Sequence, residues 1–97
     1  MKKGVIIMFY MHIQQEATGH RIMELMEKNG LKVKDIQHIM GFDNPQAVYK
    51  WIRGKSLPSI DNLLILSKVF NTSIEDIIVY SGGDFGTYNY KDTIPHR

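Results

Sequence analysis

The sequence predicts an all-α domain, a compact set of five short helices with a flexible tail at either end. Three observations carry this reading. From about residue 17 to residue 80 the apolar residues recur three and four positions apart, the spacing of a helix face. Glycine and proline cut that stretch at Asn29-Gly30, Gly41, Pro45, Gly54 and Pro58, so each helix is short. A chain of 97 residues is long enough for one such domain and not for two.

The N-terminal run comes first. Lys2-Lys3 precede Val5 to Met11, an apolar stretch far shorter than the roughly 20 residues that span a bilayer. No small-x-small cleavage site follows it, so neither a secretory signal nor a membrane anchor is read, and a cytoplasmic chain is expected. The run is β-branched and aromatic. It fits a short strand, an arm packing on a partner chain, or an upstream extension of a gene starting at Met8 or Met11. Residues 1–16 are assigned to this extension, 17–80 to the domain and 81–97 to the tail.

Thr18 is placed as the N-cap of the first helix, with Ile22, Leu25 and Met26 inward and Asn29-Gly30 as its left-handed end. The second helix runs from about Val33 to Met40, burying Val33, Ile36, Ile39 and Met40, and stops at Gly41. Asp43-Asn44-Pro45 is a start signal, because the side chain of Asn44 (or Asp43) can cap and Pro45 suits the first helical position, where its missing N–H costs nothing. The third helix, Gln46 to about Arg53, turns Ala47, Val48, Trp51 and Ile52 inward and leaves Gln46, Tyr49, Lys50 and Arg53 outward. Ser59 caps a fourth helix reaching Phe70, with Ile60, Leu63, Leu66, Ser67 and Phe70 inward. Thr72-Ser73-Ile74-Glu75 opens a short fifth, burying Ile74, Ile77 and Ile78. From Ser81 the sequence is glycine-rich and aperiodic.

Composition excludes more than it assigns. Without cysteine there are no disulfides, thiolate metal sites or cysteine nucleophiles. A net charge of +2 is too small, as a total, to indicate nucleic acid or membrane. Its distribution says more. Residues 28–55 hold six lysines and arginines against two aspartates, a local +4, while residues 56–80 carry −2. A solvated face would account for such a segment. The segment, however, coincides with the second and third helices, which are joined by a few residues and must cross steeply. Helices so joined present the latter as a ridge that fits the DNA major groove.

Leu31 to Val79, LKVKDIQHIMGFDNPQAVYKWIRGKSLPSIDNLLILSKVFNTSIEDIIV, resembles the Cro/repressor-type (XRE) helix-turn-helix family. Ile36, Gly41, Val48, Trp51, Gly54, Pro58, the Leu63/Leu66 helix and the closing Ser-Ile-Glu-Asp-Ile-Ile carry the likeness, and Ala17 to Ile22 supply its first helix. Two departures stand out. Gln37 occupies a position where the family has a small alanine, so its amide must turn aside or bond locally. The interval from Gly41 to Val48 is one residue longer than the common pattern.

The resemblance implies a sequence-specific regulator of repressor type that reads double-stranded DNA with the helix at about 45–53. Gln46 suits adenine, Lys50 suits guanine O6/N7, and Tyr49 suits a thymine methyl or a phosphate. Lys32, Lys34, Asn44, Arg53 and Lys55 are the phosphate candidates, which supply affinity without sequence information. Each has a blander reading: Gln46 and Lys50 as solvated side chains, Tyr49 as the edge of the core, Arg53 as the partner of a nearby acid.

One module reads few base pairs, so a homodimer on a palindromic operator is expected. Its contacts can come from the fifth helix, the apolar N-terminal run, or Phe85, Tyr88 and Tyr90. A second reading is a protein-interaction module, an antitoxin or phage accessory factor that binds a partner protein through the N-terminal arm. Neither reading involves a membrane. Catalysis is not expected. His12, His20, His38 and His96 lack ligand spacing, Gly82 to Gly86 opens no helix, and no nucleophile triad or carboxylate cleft is visible. No cofactor or metal is therefore expected.

Overall fold

The five predicted helices all form. The computed structural model describes residues 11–82. They comprise α1 (Gln15–Lys28), α2 (Val33–Met40), α3 (Gln46–Ile52), α4 (Ile60–Val69) and α5 (Ile74–Ile77), framed by strands β1 (Met11–Ile13) and β2 (Tyr80–Gly82). The N-terminal run up to Tyr10, and the tail expectations for residues 83–97 including Phe85, Tyr88, Tyr90 and His96, lie outside the described residues.

One device ends four of the helices. A residue of positive φ is followed by an N–H that reaches back five positions: Leu31 to Met26 O, Phe42 to Gln37 O, Lys55 to Lys50 O and Thr72 to Ser67 O, at 2.8–3.0 Å. The left-handed residues are Gly30, Gly41, Gly54 and Asn71, and this arrangement satisfies helix carbonyls that would otherwise be orphaned. The fourth helix is capped as read from the sequence at Ser59, whose hydroxyl accepts from Asn62 N–H. At the fifth the cap is Ser73, one residue after the Thr72 that begins the Thr-Ser-Ile-Glu start signal, and its hydroxyl accepts from Asp76 N–H.

All five helices contribute to one core of Ile22, Met26, Ile36, Val48, Trp51, Leu63, Leu66, Phe70 and Ile77. Two predicted core residues are instead exposed, Ile39 at 45% and Ile60 at 71%. At about 100° per residue, Val33, Ile36, Gln37 and Met40 share one side of α2, and Ile39 falls well off its centre. Ile60 opens α4, at the margin of the Leu63, Leu66, Ser67 and Phe70 stripe.

The first helix also starts earlier than expected. Gln14, not Thr18, precedes it, and Thr18 is fully buried one turn inside. The reason is a tertiary bond that outweighs local capping. The Thr18 hydroxyl accepts from Val79 N–H at 2.9 Å and donates to Val79 O at 3.3 Å. Val79 O also accepts from Gln14 N–H at 2.8 Å. These bonds start an antiparallel ribbon in which Met11, His12 and Ile13 pair with Gly82, Ser81 and Tyr80. Residues 11–13 thus form a strand, paired with a second at residues 80–82. Tyr80 closes the ribbon onto α5 by donating to Glu75 Oε2 at 3.2 Å, a bond that with the carboxylate charge raises the Tyr80 phenol above its ordinary pKa. Among the described residues no helix is long and apolar enough to cross a membrane.

Candidate nucleic-acid interface

The interface is built on a close approach of α1 to α3. Gly19 is buried where the last turn of α3 lies against α1. A Cβ there would sit within contact of Trp51 O, 2.9 Å from Ile52 O and 3.1 Å from Gly54 N, all backbone atoms. With Val48 and Trp51 buried, the other side of α3 is presented outward. Gln46, Tyr49, Lys50 and Arg53 fall within about 100° of arc on that side, and all four are exposed.

The turn before α3 is held by α2. Gly41 takes φ 73°. Gln37 grips Phe42 on both polar groups: its carbonyl accepts from Phe42 N–H at 3.0 Å, and its side-chain Nε2 donates to Phe42 O at 3.2 Å. The Phe42 ring meets Trp51 edge to face, with centroids 5.8 Å apart. The longer turn therefore lodges an aromatic residue against the core. Gln37 uses its amide locally, as its polar character in an alanine position requires.

Pro45 takes the N-cap position of α3 in place of Asn44 and falls one residue short of the first helical position expected for it, and no side chain caps the helix. Asn44 lies one position farther out, where its Oδ1 accepts from Gln46 N–H at 3.0 Å and braces the turn into the helix. Lys32 and Lys34 flank the start of α2 and, with Val33, Gln37, Pro45 and Tyr49, line a groove of about 500 Å³. Cations at a helix N-terminus oppose the macrodipole by about 0.3–1 kcal/mol each, so helix stability does not account for these two lysines. Asp35 offsets them locally by accepting from Lys32 N–H at 2.8 Å.

Arg53 stands 5.1 Å over the Tyr49 ring, a cation–π contact one helical turn apart. Among the described residues the one ion pair within 4.0 Å is Arg21–Glu24, so Lys32, Lys34, Lys50, Arg53 and Lys55 face no carboxylate at that range. Arg53 thus pairs with a ring and not with an acid. Tyr49 is 37% exposed, at the rim of the groove and outside the buried core.

The structure places the eight sequence-predicted residues along α2, the turn, α3 and their flanks: Lys32 and Arg53 stand at the N-terminal end of α2 and the C-terminal end of α3, and Lys55 follows α3 beyond Gly54. Lys32, Lys34 and Tyr49 share the groove, Arg53 lies on Tyr49, Asn44 bonds Gln46, and Lys55 N–H bonds Lys50 O. Sequence reasoning missed Gly19 as the residue that seats α3. A glycine inside a helical stretch was the available signal.

Residues 22–77 match the helix-turn-helix family model. The comparison with curated protein sequences finds no match. Among solved structures, the restriction-modification controller protein C.AhdI from Aeromonas hydrophila aligns at 22% identity over 65% of this chain and 94% of its own, with TM-score 0.58. The DNA-binding domain of BldD aligns at 12% identity over 68% and 94%, with TM-score 0.57. The clp gene regulator ClgR from C. glutamicum aligns at 17% over 68% and 84%, with TM-score 0.58. At these identities the likeness is one of fold. The family match spans more than half of the sequence, and the chain belongs to the DNA-binding helix-turn-helix family of Cro/repressor (XRE) type.

Proposed function

We propose that the chain is a cytoplasmic, sequence-specific transcriptional regulator of repressor type that lays α3 in the major groove of double-stranded DNA. One observation carries the reading: Gln46, Tyr49, Lys50 and Arg53 form an exposed face along α3 and its C-terminal end, flanked by lysines whose ammonium groups meet no carboxylate within 4.0 Å among the described residues. Gln46 pairs with adenine, Lys50 donates to guanine, and Tyr49 meets a thymine methyl or a phosphate. Lys32, Lys34, Asn44, Arg53 and Lys55 bind phosphates and set the register. The fold shared with a restriction-modification controller protein and a clp gene regulator supports this reading.

A two-fold dimer on a palindromic site doubles the few base pairs one module reads. An apolar groove of about 440 Å³ between the ribbon and α5, lined by Ile13, Ile74, Ile78 and Tyr80, supports dimer contacts away from α2 and α3. The same groove, which Ile13 of the N-terminal segment helps to line, is the observation that favours the second reading, a protein-interaction module such as an antitoxin or phage accessory factor that binds a partner protein through the N-terminal arm.

Selection from a random duplex library, followed by a salt titration on the selected site, tests the proposal. A motif with two-fold symmetry and an affinity that falls steeply with salt are expected. A folded chain that binds no duplex at low salt would sink the DNA reading and leave the partner-protein reading.

A further inference from the structure

We infer that Gln37 is a positioning residue for base reading, although it sits on α2, in the groove beside Lys34 and Tyr49, and is not itself one of the base-contact candidates. The inference rests on the DNA reading above. Gln37 alone holds both backbone polar groups of Phe42, by its own carbonyl and by its side-chain amide. Phe42 in turn carries its ring to Trp51 of α3. One side chain is thereby linked through a single turn residue to the inward face of the helix that bears Gln46, Tyr49 and Lys50.

The chemistry requires such a link here. Phe42 begins the stretch Phe42-Asp43-Asn44-Pro45, where the turn is long and only Asn44 makes a side-chain bond to the helix that follows. A small residue at position 37 would leave Phe42 O without its side-chain donor, and the turn would keep only the main-chain bond to Phe42 N–H. Bidentate contacts to base edges tolerate little rotation of the helix that carries them, whereas phosphate contacts by flexible lysines tolerate much. Gln37 therefore contributes to discrimination between sequences and not to binding as such.

The test uses the full chain and two variants, Gln37→Met, which keeps length and removes the amide, and Gln37→Ala. Without DNA, Phe42 N–H keeps its bond to Gln37 O, but opening of the turn breaks one hydrogen bond fewer, so amide exchange at Phe42 is expected to quicken about fivefold in both. The Trp51 indole resonance is expected to shift. Unchanged exchange with an unchanged indole overturns the proposal whatever DNA does. With DNA, affinity for the library-selected duplex is expected to fall about tenfold, the scale of one lost base contact. Affinity for a scrambled duplex of equal length is expected to hold. Equal losses on both duplexes would make Gln37 a backbone contact, and no loss on either would remove it from recognition; both overturn the proposal. If the unaltered chain binds no duplex, the DNA reading fails by that result, and the exchange measurement alone decides whether Gln37 holds the turn.

Discussion

Thr18 and Val79, 61 positions apart, are joined by two hydrogen bonds through one buried hydroxyl. This pair fastens the start of α1 to the chain leaving α5 and gives the ribbon its origin. Thr18→Val keeps the shape and deletes both bonds. Val79 O retains Gln14 N–H, so the main loss is the acceptor for the half-buried Val79 N–H. A destabilisation of about 1–3 kcal/mol is expected in urea unfolding, and Thr18→Ser should recover most of it. A Thr18→Val midpoint equal to that of the unaltered chain would show that water replaces the hydroxyl.

Gly19 and Gly30 set propensity against packing. Alanine at a mid-helix glycine ordinarily gains about 1 kcal/mol. At Gly19 its methyl would press on the carbonyls of Trp51 and Ile52, and backbone cannot swing aside as a side-chain tip can. Such overpacking costs about 1–3 kcal/mol. With two backbone carbonyl oxygens inside contact distance the upper part of that range applies, so the net is a destabilisation of up to about 2 kcal/mol. At Gly30 nothing lies within 4 Å of an added Cβ, and the cost is the strain of φ 67° alone, about 1–2 kcal/mol. Thermal melts should show Gly19→Ala below the unaltered chain, and DNA affinity should fall with it because α3 is displaced. A Gly19→Ala protein more stable than the parent would refute the close approach.

These two positions also mark what the sequence could and could not reveal. Helix faces, the cap at Ser59, and the left-handed ends at Gly30, Gly41 and Gly54 are local, and residue type and spacing express them directly. The outward face of α3 is legible for the same reason, since burying Val48 and Trp51 dictates what points away. Thr18 and Gly19 answer to partners more than thirty positions distant. A threonine near a helix start reads equally as a cap or as a buried bond. Ile39 and Ile60 fit the period of their helices, but how a two-turn helix or an opening turn sits on the core depends on its neighbours. The two-stranded ribbon was ambiguous because three residues of strand on each side carry too little pattern.

Arg53 over Tyr49 predicts that the two act as a unit. If the ring orients the guanidinium toward a phosphate, Tyr49→Phe should leave the salt dependence of binding unchanged. Tyr49→Ala and Arg53→Ala should each lower the slope of log affinity against log salt by up to about 0.9, the value of one phosphate contact. The double variant should lose little beyond either single one, the mark of coupled residues. Additive losses would separate the ring from the cation.

Lys50 and Lys55 give the sharpest separation of reading from holding. Both are exposed, and Lys55 N–H bonds Lys50 O, so their backbones are neighbours and general electrostatics act on them alike. Their side chains differ in where the helix carries them. Lys50 lies on the arc with Gln46 and Arg53, while Lys55 follows the left-handed Gly54 beyond the end of α3. Lys50→Ala is therefore expected to relax preference at one base position in a repeated library selection, at about 1–3 kcal/mol of discrimination. Lys55→Ala is expected to weaken all duplexes alike and to lower the salt slope by about 1, with the selected motif unchanged. The charge removed is the same in both, so net charge cannot produce the difference. If both variants lose affinity equally and keep the same motif, Lys50 holds phosphate, and base reading falls to Gln46 and Tyr49.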